Sequence, residues 1–201
     1  MPKIQIGLFG GTFDPPHIVH LILASEATYQ FNLSRLLWVL TPDPPHKQEQ
    51  VITPVEDRME MLQYTIANNP AFELSRIELD RAGPHYTADT VRLFAQQEPD
   101  AEITLLIGGD SLRDLPAWHQ NVDLIAAVHK IGVMRRPGNS LDLSDLEAQL
   151  PGVTKKVKYI DTLLQNLSSR EIRRRIKDGE PFRYYIHPQV FDYIESNGLY
   201  R

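Results

Sequence analysis

Three observations predict an α/β fold built on a parallel sheet. Short apolar segments recur at residues 4–9, 35–40, 72–75, 102–108, 130–134 and 156–159, with helical patterns between most of them, as in a series of βα units. Two of them, Leu36-Leu37-Trp38-Val39-Leu40 and Ile103-Thr104-Leu105-Leu106-Ile107, are nearly continuous in apolar character, which marks central strands covered on both faces. The segment at 4–9 runs directly into Gly10-Gly11-Thr12-Phe13-Asp14-Pro15-Pro16-His17-Ile18-Val19-His20, which reads as a strand, a tight glycine turn and a helix start carrying two imidazoles.

The helices have legible starts. Thr53-Pro54-Val55-Glu56 combines an N-cap, a proline at the first helical position and a capping-box glutamate, so a helix is expected to about residue 69. Residues 18–29, 87–97 and 142–150 carry further helical patterns. Ser168-Ser169-Arg170-Glu171 is a second capping box, opening a basic helix that stops near Gly179, and His187-Pro188 begins a last short helix to about residue 195. The proline-rich polar stretches 42–52 and 136–140 read as loops suited to act as lids. With no internal repeat or linker, one domain spanning 1–201 is expected, with 168–201 as its helical C-terminal part.

Composition narrows the function. A chain of 201 residues is long enough for one well-buried core. The lack of cysteine removes disulfides, thiol catalysis and thiolate metal sites. A formal charge of −5 at pH 7 argues against nucleic acid and anionic membranes as partners. No apolar run has the length of a membrane span, and Met1-Pro2-Lys3 leads into a strand rather than a signal peptide. A soluble, cytoplasmic protein is expected.

The glycine cluster fits neither G-x-G-x-x-G nor G-x-x-x-x-G-K-[ST], which disfavours ordinary dehydrogenases and P-loop ATPases. Gly10 and Gly11 also suit a plain strand-end turn. His17 and His20, three apart at a helix start, project from one face. Phosphate donors, a metal pair and inert histidines are the three readings, and the metal pair lacks an acidic ligand in the same turn. Coincidence of turn, helix end and paired imidazoles favours phosphate.

At this point the chain resembles a known family. Residues 10–20 are similar to the G-G-T-F-D-P-x-H-x-G-H signature of the nucleotidyltransferase superfamily. There follow Pro44-Pro45-His46-Lys47, Arg58, His85-Tyr86-Thr87 with Asp89-Thr90, Gly108-Gly109-Asp110-Ser111-Leu112 with Trp118, and Arg135-Arg136-Pro137-Gly138. Ser168-Ser169 with Ile172-Arg173, and a tail from Tyr184 to Tyr200, complete the series. The ordered set resembles the bacterial nicotinate-nucleotide adenylyltransferase family over essentially the whole chain. Two positions depart from the pattern: Val19 stands where the family has glycine, adding bulk near the nucleotide, and Arg170 replaces a threonine.

The resemblance implies a Rossmann-like doubly wound parallel sheet, the nucleotidyltransferase fold, with a helical C-terminal extension. It implies an enzyme joining the AMP part of ATP to nicotinate mononucleotide, giving nicotinate adenine dinucleotide and pyrophosphate in NAD biosynthesis. His17, His20 and Lys47 are the implied catalytic residues. Gly10, Thr12, Phe13, His17, His20, Asp110, Ser168, Ser169 and Arg173 are the implied ATP site, with Asp110 at the ribose. Lys47, Tyr86, Thr87 and Trp118 are implied at the mononucleotide, Trp118 stacking on the pyridine and the Tyr86-Thr87 backbone receiving the carboxylate. By residue type alone Lys47 is more often a surface lysine and Trp118 more often a core residue, and Ser168, Ser169 and Arg173 read as a cap and a solvated charge. The implied cofactor is Mg2+ carried with ATP, with no metal site of the protein's own. The same chemistry on nicotinamide mononucleotide or phosphopantetheine, and a catalytically silent nucleotide-binding paralogue, are the alternatives. A homo-oligomer is compatible with the sequence.

Overall fold

The structure is a computed structural model that describes residues 3–44, 51–134, 143–162 and 167–201. Six strands, β1 (Ile4–Gly11), β2 (Arg35–Leu40), β3 (Phe72–Ser75), β4 (Ala101–Gly108), β5 (Lys130–Met134) and β6 (Val157–Ile160), form one sheet. Their order is β3-β2-β1-β4-β5-β6 and every pairing is parallel. The chain winds outward from β1 in one direction and from β4 in the other, the doubly wound arrangement expected. Its switch point lies between β1 and β4, where the carboxyl ends of two adjacent strands leave a crevice.

Alternation along each strand divides the core into two layers. Ile6, Leu8, Leu37, Val39, Leu105 and Ile131 face one side, with Ala88, Val91 and Phe94 of α3 (Thr87–Gln97) packed on them. Phe9, Leu36, Trp38, Leu40 and Leu106 face the other. There they meet Leu23, Ala24 and Ala27 of α1 (Ile18–Gln30), and Leu62 and Ile66 of α2 (Val55–Ile66). A third cluster joins Met61 of α2 to Ile172 and Ile176 of α8 (Ser169–Lys177), and to Val190 and Ile194 of α9 (Pro188–Asn197). The C-terminal helices thus dock on the helix that follows β2.

Several boundaries differ from expectation, each for a physical reason. Gly10 and Gly11 are not a turn: they continue β1, opposite Val39 and Leu40. The chain instead reverses at Phe13, whose φ is 47°. Gly11 is required by packing, since a Cβ there would lie 2.9 Å from the Phe13 ring. The cap of α2 is Pro54 rather than Thr53, which is occupied elsewhere, and α2 ends at Ile66. The capping box at α8 is half made: Ser168 Oγ accepts from the Glu171 N–H at 3.2 Å. The Glu171 carboxylate turns to Arg174 and Arg175 instead, at 2.8 and 2.9 Å. That pairing, mainly with Arg174, holds the carboxyl down at about 2.

Three short helices were not anticipated: α4 (Gly109–Asp114), α5 (Asn121–Ala127) and α7 (Val153–Lys156). None exceeds two turns, too few to show a helical period in sequence. α6 (Leu143–Gln149) matches the expected 142–150 pattern within the described residues. Among the described residues no helix is long and apolar enough to cross a membrane.

Candidate active site

A cavity of about 530 Å3 opens over the carboxyl ends of β1 and β4. Its walls include Gly10, Gly11 and Thr12 at one end and Glu78, Tyr86, Thr87 and Trp118 at the other.

At the first end the loop after β1 leads into α1. His17 is the N-cap residue of α1 and is 5% exposed. The His20 ring stacks on it with centroids 3.6 Å apart at 21°. The backbone N–H of His17 donates to His20 Nδ1 at 3.1 Å. In the neutral ring this leaves the His20 proton on Nε2, so the outer nitrogen is a donor. Phe13 packs edge-on against His20 at 5.1 Å and against Phe9 at 5.4 Å. Its side chain belongs to the core cluster behind His20. Held in the left-handed region, Phe13 stores about 1 kcal/mol of strain that the surrounding contacts must outweigh.

Those contacts converge from three distant segments. Arg58 of α2, 2% exposed, donates to the carbonyls of Thr12, Thr41, Pro42 and Thr53 at 3.1, 2.8, 2.7 and 2.8 Å. Burial pulls its guanidinium below the usual range, and the charge of Asp14 opposes that pull. Asp14, 4% exposed, accepts from the Tyr200 hydroxyl at 2.7 Å and the Thr53 N–H at 3.4 Å. Burial, then the Asp14 carboxylate, pushes the Tyr200 phenol well up.

The basic helix reaches the same loop. Arg173 Nη1 donates to the Asp14 carbonyl at 2.6 Å and lies 3.8 Å from its carboxylate. Ser169 Oγ donates to the Pro15 carbonyl at 2.8 Å. Ser168 caps α8, its Oγ accepting from the Glu171 N–H. The structure therefore brings His17, His20, Ser168, Ser169 and Arg173 around one loop. Of the three consecutive arginines, Arg173 turns to this loop, whereas Arg174 pairs with Glu171, Asp178 and Glu180.

At the other end, Trp118 packs on the sheet-face cluster and also lines the cavity. Tyr86 stacks on His119 with centroids 4.2 Å apart. Tyr86 is the N-cap residue of α3 and supplies no side-chain cap, and both it and Thr87 line the cavity. Asp110 sits in the first turn of α4, its carboxylate 3.7 Å from Arg113, and is not among the cavity-lining residues. Lys47 and Arg135 lie outside the described residues. Val19 is 4% exposed, Arg170 is exposed, and neither lines the cavity.

A model of the family described as cytidylyltransferase-like matches residues 8–175. The chain is 40% identical to the probable nicotinate-nucleotide adenylyltransferase of Thermomicrobium roseum, over 98% of this chain and 92% of that protein. It is 39% identical to the nicotinate-nucleotide adenylyltransferase of Bacillus subtilis, over 98% of each. This chain belongs to the nicotinate-nucleotide adenylyltransferase family. In fold it is similar to a Plasmodium falciparum nicotinic acid mononucleotide adenylyltransferase complexed with NaAD, with a TM-score of 0.82 and 20% identity, covering 98% of this chain and 97% of that one.

For a member of this family, sequence reasoning passed over several residues that shape the site. Arg58 was visible as a motif match, but a lone arginine on a helix carries no mark of burial. Asp14 stood inside the signature with no partner in view, because Tyr200 lies 186 positions away. Glu78 and His119 had no signal beyond their proximity to His85 and Trp118.

Proposed function

We propose that this enzyme transfers the adenylyl group of MgATP to nicotinate mononucleotide. The 5′-phosphate oxygen of the mononucleotide forms a bond to the α-phosphorus, the bond from that phosphorus to the β-bridging oxygen breaks, and pyrophosphate leaves with the electron pair. The single observation that carries this reading is the docking of α8 on the loop of His17 and His20, through Arg173 to Asp14 and Ser169 to Pro15. It gathers two imidazoles, a guanidinium and a helix N-terminus around the loop that continues from Gly10, Gly11 and Thr12, and those three residues line one cavity with Tyr86, Thr87 and Trp118. Positive and donor groups belong where phosphates sit, and aromatic groups where a ring sits.

Such a transfer asks the protein for position and charge rather than covalent chemistry. His20 donates from Nε2 to a phosphate oxygen as negative charge builds, with His17 stacked behind it to fix the ring. Arg173, Ser168 and the first N–H groups of α8 take the remaining phosphate oxygens, with Lys47 as the further charge that the family resemblance implies. Among the described residues no three His, Asp or Glu side chains gather as a metal cage. Magnesium is the ion we assign to the reaction, carried with ATP on its phosphate oxygens, where it would lower the charge of the triphosphate. The cytoplasm is the compartment we assign to the reaction.

Chromatographic detection of dinucleotide tests the reading, with MgATP and each of nicotinate and nicotinamide mononucleotide offered separately. Product from the acid at the higher kcat/KM supports it. Product mainly from the amide moves the acceptor, and ATP binding without product from either turns the reading to another acceptor or a silent paralogue.

A further inference from the structure

Two opposite charges at the loop of His17 and His20 stand just out of each other's reach. Arg173 Nη1 donates to the Asp14 carbonyl at 2.6 Å, yet the same nitrogen stops 3.8 Å from the Asp14 carboxylate, beyond a hydrogen bond. Among the described residues Arg173 makes no other hydrogen bond, so the rest of its fork remains to give. A shift of about 1 Å would close the pair into a charge-assisted bond. The carboxylate is held instead by Tyr200, whose hydroxyl donates to Oδ1 at 2.7 Å, whereas the Thr53 N–H reaches Oδ2 only at 3.4 Å. Tyr200 is set for this contact. Its φ is 68°, a conformation kept by a residue with a Cβ only where contacts outweigh the strain, and its ring packs with Leu199 on the cluster of Met61 and Ile194. Arg58, the other cation beside Asp14, is committed to the carbonyls of Thr12, Thr41, Pro42 and Thr53.

On the proposed reading of this loop as the phosphate site, we infer that Tyr200 is a positioning residue: its hydroxyl holds the Asp14 carboxylate back from Arg173 and so keeps that guanidinium open to the phosphate oxygens of ATP. A guanidinium grips a carboxylate and a phosphate with the same pair of parallel N–H groups, which makes Asp14 a competitor already in place. Asp14 is buried, so an Oδ1 that lost its donor would have little water to turn to. A buried carboxylate oxygen without a partner is costly, and Arg173 is the cation with N–H groups to spare. The phenol relieves that cost without spending the charge that the substrate needs.

Tyr200→Phe keeps the ring and removes the hydroxyl. It is compared with the unaltered enzyme by calorimetric titration with MgATP alone and by steady-state kinetics with both substrates. Kd and KM for ATP are expected to rise about tenfold, the scale of one charge-assisted hydrogen bond given up, and KM for the mononucleotide to change much less. Adding Asp14→Asn to Tyr200→Phe is expected to restore most of the ATP affinity, because a neutral amide does not compete as an ion for the guanidinium. Should that double variant fail to fold, Arg173→Ala gives a second reading: if Tyr200 acts through Arg173, adding Tyr200→Phe to Arg173→Ala leaves Kd for ATP where Arg173→Ala alone puts it. A lowered Tm with Kd for ATP unchanged in Tyr200→Phe, no recovery on adding Asp14→Asn, or additive losses with Arg173→Ala would overturn the inference and leave the functional reading standing. An unaltered enzyme that binds no MgATP overturns that reading and this inference with it.

Discussion

The two ends of the cavity are built on different plans. The end we propose for the phosphates opens onto one contiguous run, from Gly10 to His20, clamped by residues from α2, α8 and the C-terminus. The ring end is assembled from separate pieces, the β3–α3 connection and the segment between α4 and α5, tied by Thr90 and by stacking of Tyr86 on His119. Charge explains the difference. Phosphate recognition needs several donors converging on a small volume, which a strand-to-helix loop supplies in one stretch. An aromatic ring needs walls on both faces, and walls come from different elements.

Variants at each end should therefore fail differently. The largest effect is expected for His20→Ala, which removes a donor aimed at developing charge and should lower kcat by about 10²–10³ while leaving mononucleotide binding in place. An unchanged kcat would strip His20 of that role. Arg58→Met comes next. It takes the buried guanidinium away from four half-buried carbonyls, and denaturant unfolding should report a loss of about 3 kcal/mol together with a fall in kcat. Stability within about 1 kcal/mol of the parent would show that the loop holds itself and that the clamp is redundant.

At the ring end, Trp118→Ala should raise KM for the mononucleotide by about tenfold, the scale of one lost stacking contact, and KM for ATP by less. Equal changes in both constants would return Trp118 to a packing role and blur the contrast between the ends. The smallest effect concerns pH. The folded pKa of His85 lies below its ordinary value of 6.5, chiefly through burial. Its contribution to stability is thus fully present above that value and is lost as pH falls through the depressed one. His85→Asn should flatten the fall in Tm between about pH 7 and pH 5; a parallel fall in both proteins would assign that loss to other groups.

How far the sequence reading reached can be judged from particular elements. The β2 and β4 runs, the starting residue of α3 and the Ser168 cap were all legible, because each rests on residues adjacent in the chain. The glycine turn was misplaced because glycine signals freedom without saying which neighbour demands it, and here the demand is the Phe13 ring over Gly11. The caps at Thr53 and Glu171 were read from local pattern, yet both side chains were drawn off by other partners, Tyr200 for the first and Arg174 for the second.

By itself the sequence determined the alternation of strands and helices, the family signature and the chemical character of each end of the site, since these depend on periodicity and on residue type in short runs. Only the tertiary structure decided which arginine of three meets the loop, that a buried arginine and a tyrosine near the end of the chain hold Asp14 and its neighbours in place, and that Thr90 bridges Glu78 to Arg81. Those outcomes turn on burial and on hydrogen bonds between segments far apart in sequence, where the cost of leaving a polar group unpaired selects the partner.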